Sequence, residues 1–415
     1  MKIKVLHLVH NISNGGAARS AIEIHNALEN EEIYSEVLIL EKRQLLKKPM
    51  VNFKNYLFTA WLKPRLVNWI LKNFSCNCDY LESLSFFDSG LEKFINNSNF
   101  DIVNLHWING ETISIRDISN ITKPLVWTLH DIWPLSGSKH LPVVNFNRAK
   151  KRIFFCFDFD KAIYRKKKAL WKNNFNFVCP SKWMFQIAIN SNFPESKTVT
   201  HIPNPVNTLF WKEIAESDKK FNFTDPQRKN KFTFCFLSSG SLDDINKGFD
   251  LLSDTLNYLD AQGYAFNIVN IGRVELKNTY KNVNVSNLST ITNDEDLRLI
   301  YSYSDALIMP SRFENFPNVA LESLSCSRPV IAFNTGGVGD IISHKRTGFL
   351  ANNFEPHLLA DGFIWIMEKT EEERALIGKE CRVAVEKFSE LKVSKLYFSL
   401  YKKILQNELS GYRPK

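Results

Sequence analysis

The sequence predicts an α/β protein made of two doubly wound parallel-sheet domains. Three observations carry this expectation. Short apolar runs of strand length alternate with segments of helical periodicity along the chain, which is the pattern of parallel βαβ units. The length of 415 residues exceeds what one core ordinarily serves and suits two domains of roughly 150 to 200 residues. Near the middle, Ile202-Pro203-Asn204-Pro205-Val206-Asn207 interrupts the periodic pattern, and the fixed φ of its prolines gives an extended linker.

Taken in order, Ile3 to His10 reads as a strand, Asn11 to Gly16 as a glycine turn, and Ala17 to Leu28 as a helix with Ala21, Ile22, Ile24 and Leu28 on a helical period. Tyr34 to Leu40, Phe100 to His106, Pro124 to His130 and Phe177 to Pro180 read as further strands of the first half. After the linker, Lys231 to Leu237 restarts the alternation and Gly248 to Leu259 follows as a helix. Phe266 to Ile271, Ala306 to Met309 and Pro329 to Phe333 then supply strands of the second half. Ligands of such sheets bind outside the carboxyl ends of the strands, so the expected site is a cleft between the domains.

Composition narrows the function classes. With 44% hydrophobic and 23% charged residues the chain has material for a sizeable core and no tract that must stay unfolded. A net charge of +9 implies attraction to something anionic: nucleic acid, phospholipid or a phosphorylated substrate. No nucleic-acid recognition motif accompanies the basic stretches, so nucleic acid is not an expected partner. The first residues lack the apolar region of a signal peptide, and no stretch approaches the roughly 18 apolar residues of a membrane span. The expected location is cytoplasmic, or peripheral on the cytoplasmic membrane face. Cys76, Cys78, Cys156, Cys179, Cys235, Cys326 and Cys381 lack paired zinc-site spacing and read as reduced thiols, with no metal expected.

The most informative stretch runs from Met309 to Leu324. A strand ends at Met309, a loop carries Glu314, and Pro317 stands where a helix takes proline in its first turn. Unpaired N–H groups and the partial positive charge of a helix start make Asn318 to Ala320 a place for a diphosphate. Glu322 then falls in the second turn, with Glu314 back in the loop, both expected to face one ligand.

Two glutamates separated by seven residues in this strand-loop-helix setting resemble the signature of glycosyltransferase family 4. The resemblance extends through Arg328-Pro329-Val330-Ile331-Ala332 and Gly336-Gly337. It implies a GT-B fold, two Rossmann-like domains facing across a cleft. Residues 1–204 would bind acceptor, 205–388 would bind a nucleotide sugar, and 389–415 would form a helix crossing back to the first domain. It implies Glu314 beside the donor sugar and Glu322 on the ribose hydroxyls, with Asn315, Phe316, Pro317, Asn318, Val319 and Ala320 supplying backbone around sugar and diphosphate. Asn246-Lys247-Gly248-Phe249 resembles the family's Lys-Gly motif, whose lysine pairs with the diphosphate; Lys247 takes that role. The chain departs from the commonest pattern in lacking an arginine at Asn246 or within Ser239-Gly240-Ser241, with Arg273 as a substitute cation.

In the first half, Asn104-Leu105-His106-Trp107-Ile108-Asn109-Gly110 and Val126-Trp127-Thr128-Leu129-His130-Asp131-Ile132-Trp133-Pro134 are similar to a bacterial subgroup of that family that builds surface polysaccharides. Where many members carry cysteines, this chain has Ser136-Gly137-Ser138-Lys139-His140. By matching position His130 is the histidine near the transferred sugar. Gly15 and Gly16 match the family's glycine turn beside the diphosphate or acceptor. Arg19 and Asp131 are candidate acceptor contacts, with a surface helix arginine the alternative for Arg19. The implied activity is metal-independent, retaining hexosyl transfer from a nucleoside-diphosphate sugar to a glycan or lipid-diphosphate-linked acceptor, with no cofactor. No Ser-His-Asp arrangement is legible to suggest covalent chemistry.

Two basic, aromatic stretches, Tyr56 to Phe74 and Arg148 to Lys172, are candidates for contact with an anionic membrane. Three rival readings share the motifs: a sugar-nucleotide epimerase of the same fold, a hydrolytic glycosidase using Glu314 and Glu322, and an inactive binding scaffold. The glycosidase fits least, because its two carboxyls must flank a bond, whereas these share one loop and the helix after it.

Overall fold

The computed structural model describes residues 2–12, 15–29, 32–42, 44–46, 56–75, 81–142, 157–172, 174–214, 231–238, 244–277, 279–291 and 293–409. Cys76, Cys78, Cys156, Arg148, Lys150 to Arg152 and Ser239-Gly240-Ser241 lie outside them, as do the side chains of Tyr56 to Trp61. The chain divides into two compact units, Met1–Pro205 with Val393–Lys415, and Val206–Lys392.

In the first unit the elements run β1 (Ile3–Val9), α1 (Gly16–Leu28), β2 (Ile33–Ile39), β3 (Gln44–Leu45), α2 (Tyr56–Phe74), α3 (Leu91–Asn97), β4 (Ile102–Leu105), α4 (Ile115–Ser119), β5 (Leu125–Thr128), α5 (Phe159–Leu170), β6 (Phe175–Cys179), α6 (Lys182–Asn190) and β7 (Lys197–His201). The sheet order is β3-β2-β1-β4-β5-β6-β7. Every pairing is parallel except the short edge strand β3, which runs antiparallel to β2.

The second unit holds β8 (Thr233–Ser238), α7 (Phe249–Ala261), β9 (Phe266–Gly272), β10 (Val283–Leu288), α8 (Asp294–Tyr303), β11 (Ala306–Met309), α9 (Asn318–Ser325), β12 (Val330–Phe333), α10 (Val338–Ile341), β13 (Gly348–Ala351), α11 (Pro356–Met367) and α12 (Glu371–Val385). Its sheet, β10-β9-β8-β11-β12-β13, is parallel throughout. Helix α13 (Glu390–Leu409) closes the described chain. The doubly wound parallel architecture expected from the alternation is the one observed. The strands missed were β3, β7, β10 and β13: β3 is two residues long, and β7 (Lys-Thr-Val-Thr-His) and β10 (Val-Asn-Val-Ser-Asn-Leu) carry too much polarity to read as buried runs.

Strand periodicity puts successive side chains on opposite faces, and the first sheet uses both. Leu6 and Leu8, Val103 and Leu105, Leu125 and Trp127, and Phe175 and Phe177 build one core. Val5, Ile102, Val126 and Val178 build the other with Ile24 and Leu28 of α1 and Val393, Tyr397, Leu400, Tyr401 and Ile404 of α13. The two buried tyrosine hydroxyls are satisfied by strand side chains: Asn104 Nδ2 donates to Tyr401 (3.0 Å), and the Thr128 and Tyr397 hydroxyls lie 3.2 Å apart. Helix α13 therefore belongs to the first sheet's core, and truncating it would strip that face of its cover.

Candidate active site

In the second unit the site forms where β8 and β11 end. After β8, Asp244 caps a short 3₁₀ turn, Ile245–Lys247, by accepting from Asn246 N–H. Gly248 follows at φ 64°, and a Cβ there would stand 1.9 Å from the Pro310 carbonyl. Glycine is thus required twice over, by backbone angle and by close approach. Gly336 plays the same part from β12's side: its φ is 54°, and a Cβ would meet the Glu314 carbonyl at 2.0 Å. These two contacts let three loops pack on one another.

Hydrogen bonds fix the loops in register. Arg312 N–H donates to Asn246 O (2.8 Å), Asn246 Nδ2 donates to Phe313 O (3.0 Å), and Gly337 N–H donates to Glu314 O (3.0 Å). The Arg312 guanidinium makes a fork on Asp250 (2.8 and 2.6 Å) and donates to Ile245 O (2.6 Å). Asn246 is therefore a staple between the lysine turn and the glutamate loop, and an arginine in its place would lack that amide. Arg273 stands exposed just past the end of β9, the strand beside β8.

The result is an ion pair between Lys247 Nζ and Glu314 Oε1 at 2.9 Å. The Glu314 carboxylate beside it holds the Lys247 ammonium above its ordinary pKa, against the opposing effect of burial. Next along, Asn315, Phe316 and Asn318 are buried and Val319 is half-buried. Pro317 is the N-cap of α9 and not its first helical residue, because Ala320 N–H already closes the first turn onto Pro317 O (3.2 Å). Of the three N–H groups expected at this helix start, Ala320's is therefore engaged within the turn.

Glu322 lies inside α9 and is fully buried; its Oε2 accepts from the buried Tyr301 hydroxyl at 3.1 Å. A solvated helix glutamate is excluded. Its side chain is placed against α8, while Lys247 and Glu314 meet in the loops.

In the first unit His130 follows β5 and stands in a row of imidazoles. His7 Nδ1 is 2.9 Å from His106 Nε2, and His106 Nδ1 is 3.0 Å from His130 Nε2. Burial lowers all three pKa values: His7 to about 3, with help from His25, His106 well below 6.5, and His130 to about 4 against the opposing charge of Asp131. All three are neutral at pH 7.

Asp131 is committed to its own loop. Oδ1 accepts from Trp133 N–H (3.0 Å) and Oδ2 meets His140 Nδ1 (2.5 Å), while His140 Nε2 lies 2.8 Å from Ser83 Oγ. This is a Ser-His-Asp geometry, contrary to the expectation of none, since Ser83 stands far away in sequence. Ser83 and His140 are buried, Ser83 N–H donates to Ser138 O, and Ser83 O accepts from Trp133 Nε1. With no exposed nucleophile the arrangement is a brace. Lys167 braces the same loop: wholly buried, its Nζ lies 3.3 Å over the Trp133 ring and donates to the carbonyls of Trp133 (2.5 Å), Gly137 (2.7 Å) and Ser136 (3.3 Å). Grouping Lys167 with a membrane-facing cluster is thereby corrected, because its nitrogen is bound to those carbonyls inside the unit, where burial pulls its pKa well below the ordinary lysine value.

Gly15 caps α1 with φ 94°, and nothing stands within 4 Å of a Cβ position on Gly15 or Gly16. Arg19, one turn on, is partly exposed and lies 3.4 Å from Glu23. Sequence reasoning missed Arg312, Tyr301, His7 and His140. For His7 the usable signal was a polar ring between the apolar pairs Val5-Leu6 and Leu8-Val9, two residues from the carboxyl end of its strand.

Residues 219–382 match the family model described as glycosyl transferases group 1, a span that contains Lys247, Glu314 and Glu322. Over 355 residues the chain is 25% identical to an uncharacterized 41.2 kDa protein in the cps region of Klebsiella pneumoniae, covering 84% of this chain and 86% of that one. It is 25% identical to an uncharacterized glycosyltransferase of Methanocaldococcus jannaschii over 303 residues, 72% of this chain and 74% of the other. Among solved structures, the Anabaena protein HepE in complex with UDP superimposes with a TM-score of 0.62 at 17% identity, covering 97% of this chain and 100% of that one. The fold is GT-B, and the matches together support a GT-B glycosyltransferase.

Proposed function

We propose that this chain is a retaining, metal-independent glycosyltransferase of family 4 that moves a hexosyl group from a nucleoside-diphosphate sugar to a glycan or lipid-linked glycan in the building of a bacterial surface polysaccharide. The observation that carries the reading is the Lys247–Glu314 pair, 2.9 Å apart, held by stapled loops next to the start of α9. In this reading the second unit takes the donor and the first the acceptor. Lys247 and the first N–H groups of α9 hold the diphosphate, Glu314 stands by the sugar, and Glu322 by the ribose. The acceptor oxygen bonds to the anomeric carbon as the bond to the diphosphate oxygen breaks. The acceptor's proton passes to that leaving oxygen on the same face, so configuration is retained. Orientation and fixed charge supply the rate.

The test is calorimetric titration of the protein with nucleoside diphosphates and their sugars, uracil nucleotides first because the Anabaena neighbour was crystallised with UDP. One nucleotide should bind, and about tenfold more weakly to Glu322→Gln, the loss of one charge-assisted contact. Failure of the whole panel to bind ends the reading.

The same proposal places the protein on a membrane surface through α2. Leu62, Leu66 and Trp69, spaced to share one helix face, are 44%, 42% and 57% exposed, and Arg65 and Lys72 are exposed beside them. Apolar side chains outside with flanking cations suit an anionic bilayer. In flotation with phosphatidylserine-containing vesicles the protein should rise with the lipid, and Leu66→Asp/Trp69→Asp should cut the bound fraction at least tenfold. Equal flotation of the variant would remove α2 from the reading.

A further inference from the structure

His130 is the histidine that the family resemblance puts near the transferred sugar, and nothing in that reading gives His7 or His106 a task. The parallel register explains their meeting. His7 stands opposite Asn104 across the β1–β4 pair, and His106 N–H donates to Leu8 O (3.0 Å). His7, His106 and His130 therefore stand in or just beyond three neighbouring strands, β1, β4 and β5. Ring centroids are 5.2 and 5.3 Å apart with planes tilted by only 28° and 26°. The nitrogen contacts of 2.9 and 3.0 Å are hydrogen bonds.

A neutral imidazole carries one N–H and one lone pair. Two bonds through the middle ring therefore force a common direction: either all three rings carry hydrogen on Nδ1, or all three carry it on Nε2. The ends of the chain decide. His7 Nε2 is buried and has no hydrogen-bond partner among the described residues. If the hydrogens sit on Nε2, this atom is a buried, unsatisfied N–H, the rarer and costlier defect; if they sit on Nδ1, it is only an unused lone pair. At the other end the negative charge of Asp131 acts on His130, which favours the hydrogen-bearing end of the chain there.

We infer that His7 and His106 are positioning residues that hold His130 in its Nδ1–H tautomer, with its Nε2 lone pair taken by His106. His130 then carries its hydrogen on Nδ1 and has no spare lone pair, so a hydroxyl or phosphate oxygen of a ligand that meets this ring meets a donor, and the ring cannot accept a proton as a base. The tautomer follows from the protein alone; that the oxygen belongs to a sugar substrate rests on the transferase reading. A substrate lacking an oxygen at that position would be the one discriminated against.

The experiment is long-range proton–nitrogen correlation of the imidazoles in protein labelled with nitrogen-15 histidine at pH 7.5, with the His130 signals assigned by their loss in His130→Gln. His130 should show a protonated, pyrrole-like Nδ1 and a bare, pyridine-like Nε2. In His106→Phe, which removes the donor, the Nε2 signal should move toward the pyrrole-like position, and in His106→Gln, whose amide can still donate, it should stay. A pyrrole-like Nε2 on His130 in the unsubstituted protein overturns the inference. An unchanged His130 pattern in folded His106→Phe overturns the positioning role. No substrate is present, so the outcome is independent of whether transfer occurs; where it does, His106→Phe should lower kcat about tenfold with KM for the donor little changed.

Discussion

Lys247→Ala should lower kcat/KM for transfer by about 10²- to 10³-fold, the effect of removing one preorganised charge from a developing diphosphate. Stability should hardly move. The Lys247 and Glu314 side chains are 33% and 17% exposed, and a partly solvated pair contributes about 1 kcal/mol or less to folding. Gly248, Arg312 and Asn246 hold the loops without help from the ammonium. Lys247→Arg should also be impaired, since a planar fork replaces a point charge in a turn built around the lysine. The measurement is initial-rate kinetics beside a thermal melt on each variant. A kcat/KM within about threefold of the parent would remove Lys247 from the donor site, and a melt collapsing along with the rate would make the lysine a structural residue.

How much of this was legible before the fold depended on whether the signal was local. The Glu314–Glu322 stretch, the Lys247-Gly248 step and His130 sit at element ends that periodicity and glycine punctuation mark in one dimension, and strands such as Ala306–Met309 were legible to the residue. What could not be read came from contacts between distant segments. Asn246 looked like a missing arginine because its partner, the Phe313 carbonyl, is 67 residues away. Lys167 looked like a solvated cation because the carbonyls that hold it come from a loop 30 to 34 residues earlier. Ser83 joins His140 and Asp131 only once the sheet forms. Burial of a polar side chain is a property of its partners, and sequence neighbours do not name them.

Acid should weaken the first unit through the same histidines. His7 falls to about 3 and His130 to about 4, with His106 well below its ordinary value, whereas the unfolded chain takes up these protons near pH 6.5. Below pH 6.5 the unfolded state therefore binds more protons than the native state, and unfolding free energy falls with pH by up to about 1.4 kcal/mol per unit for each ring. This contribution is complete above the unfolded value and is lost as the pH falls from about 6.5 toward 4. The buried carboxyls of Glu82 and Glu111, whose pKa values are raised by burial, act with opposite sign in part of this window, so the clean quantity is a difference between proteins. Relative to His7→Phe, the parent should lose about 2.3 kcal/mol between pH 6.5 and 4.5. Native-state hydrogen exchange at the amides of β1, β4 and β5, corrected for intrinsic rates, should show roughly a fiftyfold relative acceleration over those two units. A difference that does not change with pH would mean that His7 accepts its proton in the folded state, and the row of neutral imidazoles would then not exist in solution.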